Sequence, residues 1–445
     1  MISIDIAEMG ESSTTWLGLN QSNMLAGVVG SDYEPSPKSD SVVREQIDIH
    51  LRGDPEVLRQ AVRQLEDLVV KANRYAALRV GKGVYLRLST SEADGFWFAR
   101  IFSVTLTGQK GYLASHDLGA MTLALAFERE NHFESEPVLL SLSNSGGGPT
   151  SDPLTVYNHC DTTPGHANYL EIDASLFDSD LPGRLRLEMT NTGATIGDIH
   201  VGLIAWPVDE ASGTLNLEAE GATPAAVSSN AAASGGQVST LTWSGTAWTQ
   251  LTTWTLGQEA LQKFACTRFL PILRCPSGLI SGPMQLRLSI SVQGNLVYES
   301  SAKVVPDGAA VVIFDPTRLP LSQTQMLLPA APYALSLSAQ CDTAGTHALV
   351  LDDLCLLPLE SACFFRSFSG LVPGAVLVDD SSTAYSATVL SGEEARTHTR
   401  VGKELQIMPG RVNRVCFFMT TPTGMAPIDL KMSVNVTARK RRRVL

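Results

Sequence analysis

At 445 residues the chain has room for roughly two to four domains, each with its own core. Hydrophobic residues make up 44% and charged residues 18%, a balance that excludes a disordered chain, and no apolar run approaches the ~18–20 residues of a membrane helix. A net charge of −12 argues against a general nucleic-acid coat.

The opening residues, Met1 to Glu8, show no basic region followed by an apolar core, so no export signal is expected. Residues 1–45, with the Pro-rich patch Tyr33–Pro37, read as an extended arm with a short strand or two. Gln46–Arg52 alternates apolar and polar residues as a half-buried strand does. Asp54 is placed to cap a helix and Pro55 to open it. Val57, Leu58, Ala61, Val62, Leu65, Leu68, Val69 and Ala72 then recur at helical spacing, which predicts an amphipathic helix to about Arg74. Strands are expected at Gly83–Thr90, Phe96–Leu106 and Leu118–Arg129, the first two joined by a turn at Ala93-Asp94-Gly95. This makes a compact α+β unit ending near Glu136.

Beyond it the chain reads as β throughout. Short strands between Val138 and Ala205, separated by Gly, Pro, Asn and Asp clusters, indicate a sandwich or jelly roll. Asp209–Gly213 resembles a linker. A second β series runs from Thr214 to about Pro358 and includes Ala348–Leu357 as one strand. The last set, with Glu404–Met408, Arg414–Met419 and Leu430–Thr437, is too small for a good domain and is expected to complete the first sandwich. The expected domains are therefore 1–136, a discontinuous sandwich of 137–210 and 360–445, and an inserted jelly roll of 211–359. The fold class is mainly β, with an N-terminal α+β domain.

Enzyme signatures are missing: there is no G-x-S-x-G, G-x-x-x-x-G-K-[ST] or H-E-x-x-H. Nothing nominates a catalytic residue, and the chain is not expected to be an enzyme. Seven cysteines without a C-x-x-C pair fit reduced, buried thiols better than a disulfide framework. The cluster Asn158-His159-Cys160-Asp161 with His166 has metal-ligating side chains, but its Thr-Thr-Pro-Gly setting reads first as a hydrogen-bonded turn. The basic run Arg439–Arg443 reads as a solvated tail, with nucleic-acid contact or nuclear import as the alternative.

Two patterns in the inserted series bear on ligands. Glu218 and Glu220 fall on one face of a strand, where like charges need water or a bridging cation. Calcium is the natural bridge, and Asp352, an acid inside the apolar run Leu349–Pro358, is a third candidate ligand. Solvent-facing glutamates and a turn-side Asp pair are the other reading. Trp243, Trp248 and Trp254 offer a stacking platform for sugar rings if exposed, although core positions are commoner for tryptophan in sandwiches.

Leu217–Glu220, Ser234–Gly236 and Leu351–Leu354 together resemble carbohydrate-binding modules of the galactose-binding-like jelly-roll type. That resemblance implies a structural calcium on Glu218, Glu220 and Asp352; the aromatic often found after the glycine pair is replaced by Gln237 and Val238. The first 136 residues resemble the N-terminal domain of phage distal tail proteins. The carriers are Gln46–Arg52, the helix 54–74, Gly83–Arg87, the hairpin Asp94–Arg100, and Thr122–Phe133 with its terminal aromatic. Tyr157-Asn158 to Gly202 and Pro409–Arg414 are also similar to tail-associated proteins. This resemblance implies a virion structural protein of the tail or baseplate, assembled in the host cytoplasm. Six copies would form a ring between tail tube protein and tail-tip hub proteins, with sandwich domains projecting toward host-surface glycan. A free carbohydrate-binding protein or glycosidase accessory is the alternative; neither role calls for a membrane.

Overall fold

The computed structural model describes residues 3–9, 16–19, 24–32, 42–78, 83–89, 95–108, 120–145, 147–160, 163, 165–174, 177–207, 216–224, 226–256, 268–276, 283–306, 308–318, 333–380, 386–392 and 394–443. Tyr33–Pro37, Ala93, Asp94, Asp161 and Asp209–Gly213 lie outside them. The protein is mainly β, with a single helix near the N-terminus among the described residues. It divides into two compact units: Met1–Val138 with Ser179–Gly183 and Arg439–Leu445, and Leu139–Asp178 with Arg184–Ala438.

In the first unit one antiparallel sheet runs in the order Leu17–Gly18, Ser3–Met9, Gly83–Ser89, Trp97–Gly108, Ala120–Glu130, Val42–Arg52, Met24–Asp32. The helix Pro55–Leu78 starts as the residues dictate: Asp54 Oδ1 accepts the Glu56 N–H at 2.8 Å and Asp54 O accepts the Leu58 N–H at 3.0 Å. Its apolar stripe, Leu58, Val62, Leu65 and Ala72, is buried with Ile47, Ile49, Leu86, Ala99 and Leu125 of the sheet. Strand alternation explains this, because those residues all point to one face.

Two expectations are corrected here. Residues 1–45 are not an arm in their described parts: Ser3–Met9 pairs with Gly83–Ser89 and Met24–Asp32 with Val42–Arg52. The reason is backbone satisfaction, since both segments supply the sheet with strands its central pairs need. The basic run is not a solvated tail either. Arg441–Arg442 pairs with Phe133–Ser135, Arg441 Nε donates to Glu134 Oε1 at 2.9 Å, and the Arg442 guanidinium lies 5.0 Å from the Trp97 ring centre. The Glu134 carboxylate and the Trp97 ring take up the charges of Arg441 and Arg442, while Arg443 stays exposed.

In the second unit a 14-stranded sheet links early and late segments: Tyr169–Asp173, Arg411–Met419, Ile196–Pro207 and Ser361–Leu371 are consecutive neighbours. It folds over, so that Leu170, Val201 and Phe417 share a core with Leu187, Leu377, Met432 and Val434. Pro409–Arg414 has a structural purpose. Asn413 clamps the turn by donating to Met408 O at 2.9 Å and accepting from Met408 N at 2.8 Å, while Gly410 takes φ +68°. Asn158 does the same for a second turn, donating to Met419 O and Pro427 O and accepting from Met419 N.

Residues 216–358 form three further antiparallel sheets: one contains Asn216–Glu218, Asp353–Pro358, Arg268–Arg274 and Val311–Ile313, one Val227–Ser229, Gln237–Ser244 and Thr346–Leu351, and one Thr249–Leu256, Tyr333–Gln340 and Met284–Val292. Ile272, Leu354 and Leu356 of this segment lie in one apolar cluster with Ile204, Trp206 and Phe418 of the folded-over sheet. Their backbones come close enough that a Cβ on Gly202 would run into the Pro358 carbonyl oxygen.

Candidate functional site

Asp352 falls at a break. Ala348–Leu357 is not one strand but two, Thr346–Leu351 and Asp353–Pro358, which belong to different sheets. Asp352 is the corner between them: its N–H donates to Arg274 O at 3.0 Å and its carbonyl accepts the Ala219 N–H at 2.9 Å. Periodicity missed this because both halves are apolar, and no Gly or Pro marks the change of sheet.

Around the corner lies a buried polar cluster. Glu218 ends the strand Asn216–Glu218 and Glu220 sits in the helical turn that follows. Ser234 opens a turn through Gly235 and Gly236, at φ +60° and +73°, values that glycine adopts without strain. Asp352 Oδ1 accepts the Ser234 N–H at 2.8 Å. Arg274, 2% exposed, faces Asp353 across the ladder and forks onto it, Nε to Oδ1 at 3.1 Å and Nη2 to Oδ2 at 2.7 Å. Its Nη1 donates to Asn158 O, and its Nε also stands 3.0 Å from Asp352 Oδ2.

Burial, with repulsion from Asp353, Asp352 and Glu220 added, pushes Glu218 up to about 8. Burial also raises Asp352 to about 8 against the pull of Arg274. The hydrogen bonding agrees for Glu218. Ser234 Oγ is 2.8 Å from both Glu218 Oε1 and Cys160 O, yet a hydroxyl carries one proton. A neutral Glu218 completes the pattern by donating to Ser234, which donates to Cys160 O.

Three buried carboxylate oxygens, on Glu218 Oε2, Glu220 Oε2 and Asp352 Oδ2, accept no hydrogen bond, and open oxygens of this kind are what a hard cation takes. Asp352 does not fit a calcium ligand set, however, because its Oδ1 is spent on Ser234 and its Oδ2 faces a guanidinium. Among the described residues no three His, Cys, Asp or Glu side chains are arranged to hold a metal ion. Next to the cluster, a reciprocal amide pair joins Asn168 to Asn216, with Nδ2 to Oδ1 distances of 3.1 and 3.0 Å. Cys160 Sγ lies 3.0 Å from Asn216 Nδ2, and burial raises this thiol to about 11, which disfavours the thiolate. No single sequence pattern pointed to Arg274, Asn168 or Asn216; strand register places Arg274 and Asn216, and tertiary packing brings Asn168, which precedes its strand, against Asn216.

The three tryptophans separate. Trp243 and Trp254 are core residues at 6% and 3% exposure, and Trp254 Nε1 donates to Glu218 O at 3.0 Å. They cannot stack on a sugar, because the inner face of the sheet needs their apolar surface. Trp248 is half-buried, with the Arg287 guanidinium 3.9 Å from its ring centre. His159 and His166 lie in the turn beside Tyr157, and His159 Nδ1 is 2.8 Å from Ile428 O. A pocket of about 380 Å³ borders Arg274, Pro276, Met425 and Pro427. Apart from Asp429 its wall is apolar or, in Arg274, already committed inward.

No protein-family model and no curated protein matches the sequence. Among solved structures the chain is similar to one of the phage p2 baseplate in its activated conformation with Sr, at TM-score 0.33 and 9% identity over 100% of both chains. A second, of the same baseplate with Ca, gives TM-score 0.34 and 9% identity, again over 100% of both. A chain of infectious bursal disease virus, Gt strain, gives TM-score 0.17 and 8% identity over 79% of this chain and 83% of that one. At these scores the likeness carries neither a fold nor a function to this protein.

Proposed function

We propose that the chain is a structural, non-catalytic component of a phage tail, a distal-tail ring subunit that joins tube to tip. One observation carries the reading: the segments that resemble distal tail proteins together build one sheet and its helix. Val42–Arg52 leads through the Asp54-capped helix to Gly83–Ser89, and Trp97–Gly108 and Ala120–Glu130 lie between these two strands. Phe133, the terminal aromatic, is 4% exposed in the same core. Sheets of this kind associate through their outer strands, here Met24–Asp32 and Leu17–Gly18. Six described cysteines are free thiols, in keeping with assembly in a reducing host cytoplasm. Contact with host-surface glycan is the finer part of the proposal and falls on Trp248, since its two companions are in the core.

Light scattering after size exclusion tests the reading. The expected species has about six times the 47.7 kDa chain mass, with rings in negative stain. A strict monomer at every concentration, together with capture on a glycan array, would replace it with a free carbohydrate-binding protein.

A further inference from the structure

We propose that Arg274 is the resident cation of the buried acidic cluster, holding the segment 216–358 closed and fastened to the sheet that carries it without a divalent ion. The guanidinium reaches two separate parts of the chain at once, both far in sequence from its own strand. It forks onto Asp353 of the closing strand, stands 3.0 Å from Asp352 Oδ2 at the corner, and donates to Asn158 O of the carrier turn. Strand register fixes its place, because Arg274 faces Asp353 in the ladder and the Asp352 N–H is bonded to Arg274 O.

The group is also sealed in: the Arg274 side chain is 3% exposed, that of Asp352 0% and that of Asp353 2%. A guanidinium keeps its charge at any working pH, so the positive charge is permanent. A calcium ion on Asp352 Oδ2 would sit about 2.4 Å from an oxygen that already has Arg274 Nε at 3.0 Å. Two cations would then share one carboxylate in a low-dielectric interior, where like charges repel strongly. The fork, moreover, gives Asp353 two parallel charge-assisted hydrogen bonds.

The test uses the full chain. Calcium titration by calorimetry should give no binding heat for the wild type, and its Tm should be the same in chelator and in millimolar calcium. Arg274→Met leaves the buried acids uncompensated and should lower Tm by about 10 °C or abolish folding. Should it not fold, Arg274→Lys keeps the charge but loses the fork; it is expected to fold, melt lower than the wild type, and still ignore calcium. Stoichiometric calcium binding by the wild type, a calcium-dependent wild-type Tm, or an Arg274→Met chain as stable as the wild type in chelator would each overturn the proposal. None of these readouts depends on ring formation.

Discussion

His200 shows how burying one ionisable side chain couples the stability of a fold to pH. It lies on Ile196–Pro207, its ring centre 4.4 Å from that of Phe364 and 6.2 Å from that of Phe418. Burial lowers its pKa from 6.5 to about 4, because charging the ring among apolar neighbours is costly. The unfolded chain therefore takes up this proton at higher pH than the folded one. The contribution is fully present above the unfolded pKa and is lost as pH falls through the folded one, amounting to about 2 kcal/mol after allowance for partial exposure. His200→Leu is expected to reduce the loss of stability between about pH 6.5 and 4, read as the change in urea midpoint. An unaltered acid dependence in that variant would remove His200 as its source.

In the helix Pro55–Leu78 sequence and packing agree for Leu58, Ala61, Val62, Leu65 and Ala72, whereas Val57, expected in the same stripe, is 43% exposed. Leu65 is fully buried among sheet side chains, whereas Val70 of the same helix is 64% exposed. Leu65→Ala should cost about 3 kcal/mol through lost burial and the cavity left behind, and Val70→Ala no more than about 0.5 kcal/mol. Chemical denaturation followed by circular dichroism separates the two; equal effects would mean that the stripe is not the packing face. The strand pair on either side of Asp352 makes the opposite point. Local pattern gave one apolar run, and the break became visible only when the two halves paired with different sheets.

The segment 216–358 shares its apolar cluster with Ile204, Trp206 and Phe418 and its polar contacts with Asn158, Cys160 and Asn168. An appended module joined only by linkers would melt alone. Scanning calorimetry of the full chain is instead expected to show this segment unfolding in the same transition as its carrier strands, since separating them exposes that common core. A separate, earlier transition that left the carrier sheet intact would refute the coupling.

Local chemistry made much of this protein legible. The Asp54 cap, the stripe ending at Ala72 and the β character after Glu136 all follow from residue types and short-range spacing, which act before the chain has folded. The remainder depends on which strands become neighbours. Arg441 reads as part of a solvated basic run until Glu134 is found beside it; Trp243 and Trp254 read as core more readily than as a platform, and the sheet decides it by turning them inward. Arg274 carries no signal of its own, being the last residue of an ordinary apolar strand. Only register across a ladder sets it against Asp353, and only tertiary packing brings Asn158, 116 residues away, to its third nitrogen. Buried charges find their partners through long-range pairing, which is why the sequence could nominate the acids but not the cation that holds them.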